Sequence, residues 1–322
     1  MKKTQVALAA LALVASTAAM ADGVTISGRI DAGLVNNNST VSTSPRAQSG
    51  LLAPNFLNFG GSEDLGNGMK ANFLLSETFS TNAPGTGTAN TTTLLQSHVG
   101  VSGDFGSISI GKTVDSFWGN GVAAFDVTGG GNMGSAVSSV FANGASNVFQ
   151  ESTIHYVAPT ISGVNAAATY ITTAGASGAG GITANAGDYS VAATYDIGGA
   201  KVGAAYSKLA TVTNTFVGAG YDFGFAKVNA TYLNSSVNTT YGANAAVPLV
   251  GALTGTIGYY NTSSTGSLAG TDLSIGLLYG LSKRTTVFGN YEKVTGATKL
   301  NGGNGGIGTD GNAIIVGVAH SF

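Results

Sequence analysis

Over residues 24–34, Val24, Ile26, Ile30, Ala32 and Leu34 share one parity, while Thr25, Ser27, Arg29 and Asp31 take the other. Alternation with a period of two predicts a β-strand with one apolar and one polar face. The pattern recurs over 164–170, 189–195, 202–206, 228–232 and 273–279. Several of these runs carry Tyr at an end, on the apolar parity, which suits an aromatic girdle at a membrane–water interface. A last run over 314–322 places apolar residues at 314, 316, 318 and 322 and closes on Phe322. Strands with bare edges invite aggregation. In a bilayer no water satisfies a free edge, so closure into a barrel is compulsory.

Turn-forming residues divide the chain regularly. Short connections are expected at 63–68, 103–106, 159–163, 196–199, 222–224, around 248–251 and at 281–283. Longer segments rich in Gly, Asn, Ser and Thr alternate with them at 36–52, 80–93, 113–148, 173–186, 262–270 and 295–311. Tighter connections near 209–212 and 236–239 complete the series. Together they join sixteen strands, so the expected fold class is all-β, a transmembrane 16-stranded antiparallel up-and-down β-barrel. Each strand with its connection then averages about 19 residues, which fits membrane strands of roughly 9–11. The terminal strand is expected to close the sheet against Val24–Leu34, with Phe322 at the girdle.

The beginning of the chain reads differently. Lys2 and Lys3 precede an uncharged apolar stretch from Val6 to Ala15, and Ala19-Met20-Ala21 follows. This is the layout of a secretory signal peptide, expected over 1–21 with cleavage near Ala21 and a barrel domain over 22–322. Without Lys2 and Lys3, 13 basic residues become 11 against 15 acidic ones, a net charge of −4. That balance argues against nucleic acid as a partner. The chain has no cysteine, so neither disulfides nor thiolate metal sites are available. Charged residues make up only 9% of the chain, and past the signal no apolar run is long enough for a membrane helix. Low charge, 50 glycines and 12 tyrosines leave β-structure as the economical solution.

Specific segments resemble a known family. The run Val24-Thr25-Ile26-Ser27-Gly28-Arg29-Ile30-Asp31-Ala32-Gly33 is similar to the first strand of the general porins of β-proteobacteria. So are Gly61–Ala71 (GSEDLGNGMKA), Val99–Gly106 (VGVSGDFG), the turn Leu281-Ser282-Lys283-Arg284-Thr285 and the terminal Gly317–Phe322. These motifs run in family order from 24 to 322. The resemblance implies a Gram-negative general porin of the Burkholderia/Neisseria-like type, with the third outer loop folded inward as a constriction. It implies a homotrimer in the outer membrane, in contact with lipid and lipopolysaccharide, passing small hydrophilic solutes and ions. No cofactor is implied.

The candidate for that loop is 113–148, the longest strand-free segment. Asp115 and Asp126 are its only charged residues, and they are either one wall of the eyelet or solvated loop residues. Basic partners must come from the wall. Arg29 and Lys227 lie on polar parities and are expected to face the lumen, because a charge facing lipid costs a few kcal/mol. Strict alternation from Ile108 and Ile110 would turn Lys112 to lipid, so a break or bulge is expected at Gly111. The family carries Arg at that position. Glu151 and His155 share a polar parity and either line the lumen selectively or are hydrated wall residues. Arg46 sits in the first outer loop, whereas Lys283 and Arg284 lie at a short turn. Glu77 shares the apolar parity of Phe73, Leu75 and Phe79, which calls for a bulge, a place above the bilayer, or burial between subunits.

Departures from the family pattern share one direction. Phe56, Leu95, Phe149, Ala319 and Ser321 stand where such porins commonly carry Arg, and Gly60 replaces a common Lys. Rings of charge set selectivity in channels, so a weakly selective pore is expected. The only histidines, His98, His155 and His320, lie on separate strands without metal-ligand spacing, and the reading is not an enzyme. The alternatives are a substrate-specific channel for neutral or mildly polar solutes and a non-channel barrel acting as adhesin or anchor.

Overall fold

The computed structural model describes residues 23–39, 45–81, 93–127, 147–175, 182–236, 238–264, 269–296 and 311–322. The expected signal peptide lies outside these residues, as do 82–92, 128–146 and 297–310 of the long connections.

Among the described residues, seventeen strands form one sheet. The first six are β1 (Val24–Ser39), β2 (Arg46–Ser49), β3 (Phe56–Gly66), β4 (Met69–Thr78), β5 (Thr93–Gly103) and β6 (Gly106–Val114). Next come β7 (Phe149–Val157), β8 (Val164–Ile171), β9 (Tyr189–Ile197), β10 (Ala200–Leu209), β11 (Val212–Asp222) and β12 (Lys227–Ser235). The last five are β13 (Asn238–Pro248), β14 (Leu253–Ser264), β15 (Gly270–Gly280), β16 (Thr285–Gly296) and β17 (Gly311–Ser321).

From β3 onward each strand pairs antiparallel with the next, and β17 pairs with β1 from Arg29↔Ser321 to Ser39↔Gly311. The barrel is therefore closed. Phe322 seals the seam, since its backbone exchanges 3.1 Å hydrogen bonds with Gly28 in both directions. Its ring lies over Gly28, where a Cβ would sit 2.6 Å from the ring carbon Cζ.

The sixteen expected strands occupy sixteen places around the barrel, and one place is divided. The other edge of β1 carries β3 over Val24–Arg29 and β2 over Ala32–Val35. The first outer connection, expected over 36–52, thus contains a strand of its own. Gly50, at φ +67°, turns the chain out of the sheet, and it returns after Pro54, which has no N–H to donate.

Alternation sorts the two faces. In β9, Tyr189, Val191 and Tyr195 are exposed, while Ser190, Ala192 and Thr194 are buried towards the interior. Ile314, Val316 and Val318 of β17 likewise point out, and Ala313, Ile315 and Ala319 point in. Exposed tyrosines cluster at both rims, with Tyr170, Tyr189, Tyr232 and Tyr241 near the loop ends. Tyr195, Tyr221 and Tyr279 lie near the short turns. These are the paired girdles of a membrane barrel.

The irregularities fall where parity fails. The β6–β7 register shifts between Gly111 and Thr113, with Gly111 at φ +137° and Ser152 at φ +55° on the facing strand. The β4–β5 register shifts between Ser76 and Glu77, where Leu95 of β5 is the extra residue, so Glu77 stands opposite a bulge. Bulges re-aim side chains that strict alternation would misdirect.

Candidate functional site: an inward loop on the barrel wall

Beyond β6 the chain turns inward. Phe117–Gly121 form a single π-helical turn and Val122–Phe125 a 3-10 turn. Their apolar face is formed by Phe117, Trp118, Val122 and Phe125, all buried. It packs on inner-wall residues Ala192, Ala205, Phe216, Leu233 and Tyr260, from β9 to β14. Phe125 meets Phe216 with ring centroids 5.8 Å apart, and Phe117 meets it edge-on at 6.4 Å. Small wall residues make the recess. A Cβ on Gly218 would come within 2.6 Å of the Phe125 ring, and one on Gly203 within 2.9 Å.

Polar latches fix the loop along the same wall. Asn229 and Asn244 each donate a side-chain N–H to the Phe125 carbonyl at 2.9 Å. The Ser116 N–H donates to Thr169 Oγ1 at 3.0 Å, and the two hydroxyls lie 2.7 Å apart. The Ser190 hydroxyl donates to Asp115 Oδ2 at 2.7 Å, while the Phe117 N–H donates to Oδ1 at 3.0 Å. At the loop's base the Asp115 N–H donates to the Val148 carbonyl at 2.9 Å, which ties the outgoing leg to the returning one. Asn147 bonds Gln150 and both backbone groups of Ile182, so the returning leg is held as well.

These contacts reassign Asp115. Expected either on the eyelet wall or solvated, it is instead wholly buried beneath the loop and acts as its anchor. Burial pushes its carboxyl up to about 6, against the opposing pull of the Ser190 hydroxyl and the backbone N–H groups of Phe117 and Trp118. Asp126 closes the 3-10 turn, its N–H donating to the Ala123 carbonyl at 3.2 Å, and its side chain is half-buried.

The other candidates are dispersed. Lys112 Nζ lies 3.2 Å from Glu151 Oε1, an ion pair at a register shift whose extra residue is on β7, with Glu151 and Ser152 opposing Lys112, rather than at Gly111. His155 Nδ1 is 3.0 Å from Thr169 Oγ1 and 3.4 Å from Ser116 Oγ, beneath the loop. Lys227 pairs with Asp222 at 3.2 Å, directly across the strands at the short-turn rim. Asp196 and Lys201 repeat that arrangement at 3.5 Å. Arg29 is half-buried on the inner parity of β1, opposite Phe56 and Ser321. Its Nε is buried with no hydrogen-bond partner. Arg46 donates its Nε–H to Gln48 at 3.2 Å. Among the described residues, no three His, Cys, Asp or Glu are grouped to hold a metal.

Sequence patterning alone missed the latches. Ser190, Thr169, Asn229 and Asn244 sit on inner parities, where a polar residue reads as a hydrated wall.

The geometry is that of a closed barrel with a loop folded into its interior, and the sequence comparison agrees. A sequence model of Gram-negative porins matches residues 7–299. The chain belongs to the Gram-negative porin family. The major outer membrane protein P.IB of Neisseria gonorrhoeae is 39% identical to this porin over 118 residues, 35% of this chain. That match spans about a third (32%) of the relative's own length. Among solved structures, an anion-selective porin from Comamonas acidovorans superposes with a TM-score of 0.74 at 23% identity, covering 93% of this chain and 99% of the other. The trimer form of in-vitro folded OmpT from Vibrio cholerae gives 0.69 at 14% identity, over 93% and 99%. At these identities the likeness is one of fold.

Proposed function

We propose that this porin forms a water-filled channel in the outer membrane for passive diffusion of small hydrophilic solutes and ions, and that it works as a homotrimer. The observation that carries the reading is the inward loop seated on the inner wall of a closed barrel of sixteen places, a strand number wide enough to enclose an aqueous channel. A barrel serving only as an anchor needs about eight strands.

Selectivity is weak in this reading. Four inner-parity charges at the short-turn rim are neutralised in pairs, Asp196 with Lys201 and Asp222 with Lys227. Lys112 is matched by Glu151, and Asp115 is withdrawn from the lumen. Paired charges present little net field to a passing ion. Phe56, Ala319 and Ser321 hold inner-parity places without charge. Pore-lining roles for Arg29, Lys112, Glu151, Asp126, His155 and Lys227 belong to this proposal.

The test is a reversal potential across a planar bilayer in a potassium chloride gradient. The expected value lies near zero, and a strongly anion-selective value contradicts the weak-selectivity reading. Liposome swelling with sugars, amino acids and organic acids is expected to follow solute size. One solute far above that trend establishes a substrate-specific channel instead.

A further inference from the structure

A second stretch of chain also folds against the inner wall. It is the break between β2 and β3, residues 50–55, and its partners are inner-face residues of β16, β17 and β1. Leu51 and Leu52 are buried in a cluster with Phe288, Val294, Ala313, Ile315 and Val35. Direction is fixed by Gly33, on the inner parity of β1, because a Cβ there would lie 3.0 Å from Leu51 Cδ1. The segment therefore lies inside the barrel.

Asp31 pins it. Its carboxylate accepts the backbone N–H groups of Leu51 at 3.1 Å, Leu52 at 2.6 Å and Ala53 at 3.0 Å. Its own N–H donates to Asn55 Oδ1 at 2.7 Å, and its carbonyl accepts the Gly50 N–H at 3.1 Å. Every bond of this set joins the break to one residue of the wall, and Asp31 is wholly buried by it. Charge-assisted bonds to consecutive N–H groups hold a backbone in one place, unlike a loop that sweeps the lumen.

We infer that residues 50–55 are a second, fixed constriction element that sets pore size jointly with the loop at 115–127. This inference rests on the channel reading above. The described part of the inward loop covers the arc from β8 to β14, and the Asp31-pinned segment covers β16, β17 and β1. Among the described residues these two segments leave β3–β6 uncovered, whose inner parity carries Asn58, Asn72, Leu74 and His98, with Asp64 and Lys70 towards the short turn. The side chains that meet Leu51 and Leu52 are apolar, although buried Asn290 and Glu292 share the inner face of β16 with them, so the two leucines hide Ile315, Val294 and Phe288 from water while removing cross-section from the lumen.

The experiment is single-channel recording of refolded full-length protein. Leu51→Ser with Leu52→Ser unseats the segment, and conductance is expected to rise about 1.5-fold, with a larger sugar cut-off in liposome swelling. Unchanged conductance and cut-off overturn the inference. A second variant covers a double mutant that fails to fold. Pro54 is exposed on the free side of the segment, and the chain has no cysteine of its own. Pro54→Cys reacted with a bulky cationic thiol reagent is expected to lower conductance by about a third and shift the reversal potential towards anions. Labelling without either change overturns the inference. A wild-type protein that carries no current at all refutes the channel reading instead, which keeps the two failures distinct.

Discussion

Two buried aspartates hold the two inward segments, and they work from opposite sides. Asp31 belongs to the wall and reaches out to the segment, accepting three backbone N–H groups in a row. Asp115 belongs to the loop and reaches back to the wall, where the Ser190 hydroxyl meets it. The wall-borne anchor is tied to a strand whose register is set along all of β17. The loop-borne anchor depends on apolar seating by Phe117, Trp118, Val122 and Phe125, because one carboxylate cannot by itself order so long an excursion. The short break is thus held by one carboxylate's hydrogen bonds together with two buried leucines, and the long loop by a larger buried face together with several separate latches.

Breaking the apolar seat is expected to give the largest effect. Phe125→Ala removes a wholly buried ring and leaves a cavity between Gly203, Gly218 and Phe216, costing about 4 kcal/mol. Denaturant unfolding of the detergent-refolded protein measures the loss, and open-channel noise reports the freed loop. A cost below about 1 kcal/mol would show that polar latches, not area, hold the loop.

Asp115 gives a pH signature that Asn cannot. Its folded carboxyl is pushed up to about 6 from 3.8, so between those values the folded state binds more protons than the unfolded chain. This group's contribution to stability therefore grows as pH falls from about 6 towards 4 and is lost as pH rises through 6. The size is of order 2–3 kcal/mol at most. Comparing unfolding midpoints of wild type and Asp115→Asn at both ends of that window checks it, with the variant expected to lack the extra slope.

A smaller cost is expected at Asp31. Asn in its place turns an amide N–H₂ towards backbone N–H groups, which costs about 2 kcal/mol. The loss should appear at the β1–β2 side as faster amide exchange at Leu51–Ala53, with the loop at 115–127 unaffected. Gly218→Ala sharpens the other side of the comparison, since its Cβ meets the Phe125 ring at 2.6 Å and the overpacking costs about 1–2 kcal/mol. The same change at Gly60, where the nearest atom to a Cβ is 3.4 Å away, is expected to be nearly silent.

The outer half of this architecture was legible in the sequence, and the reason is periodicity. Alternation in Val24–Leu34 and 314–322 correctly paired the first strand with the last, and the turn signals located every short connection. The failure of parity at Lys112 pointed to a local irregularity, and a register shift does fall there, although its extra residue is on β7, where Glu151 and Ser152 oppose Lys112. The inner half was harder to read. An inner-parity residue faces the interior whether water or a folded-in segment covers it, and strand periodicity carries nothing about which. Asp31 and Ser190 consequently looked like wall residues, and Leu51 and Leu52 looked like loop. Asp115 was misplaced for a related reason. A loop without periodicity does not show from its sequence which side it presents to the wall.

Planar-bilayer recording of the refolded wild-type protein tests the central claim most directly. A pore narrowed from within predicts stable conductance that closes in three equal steps, with a reversal potential near zero in a salt gradient. A bilayer that stays sealed after insertion would contradict the account.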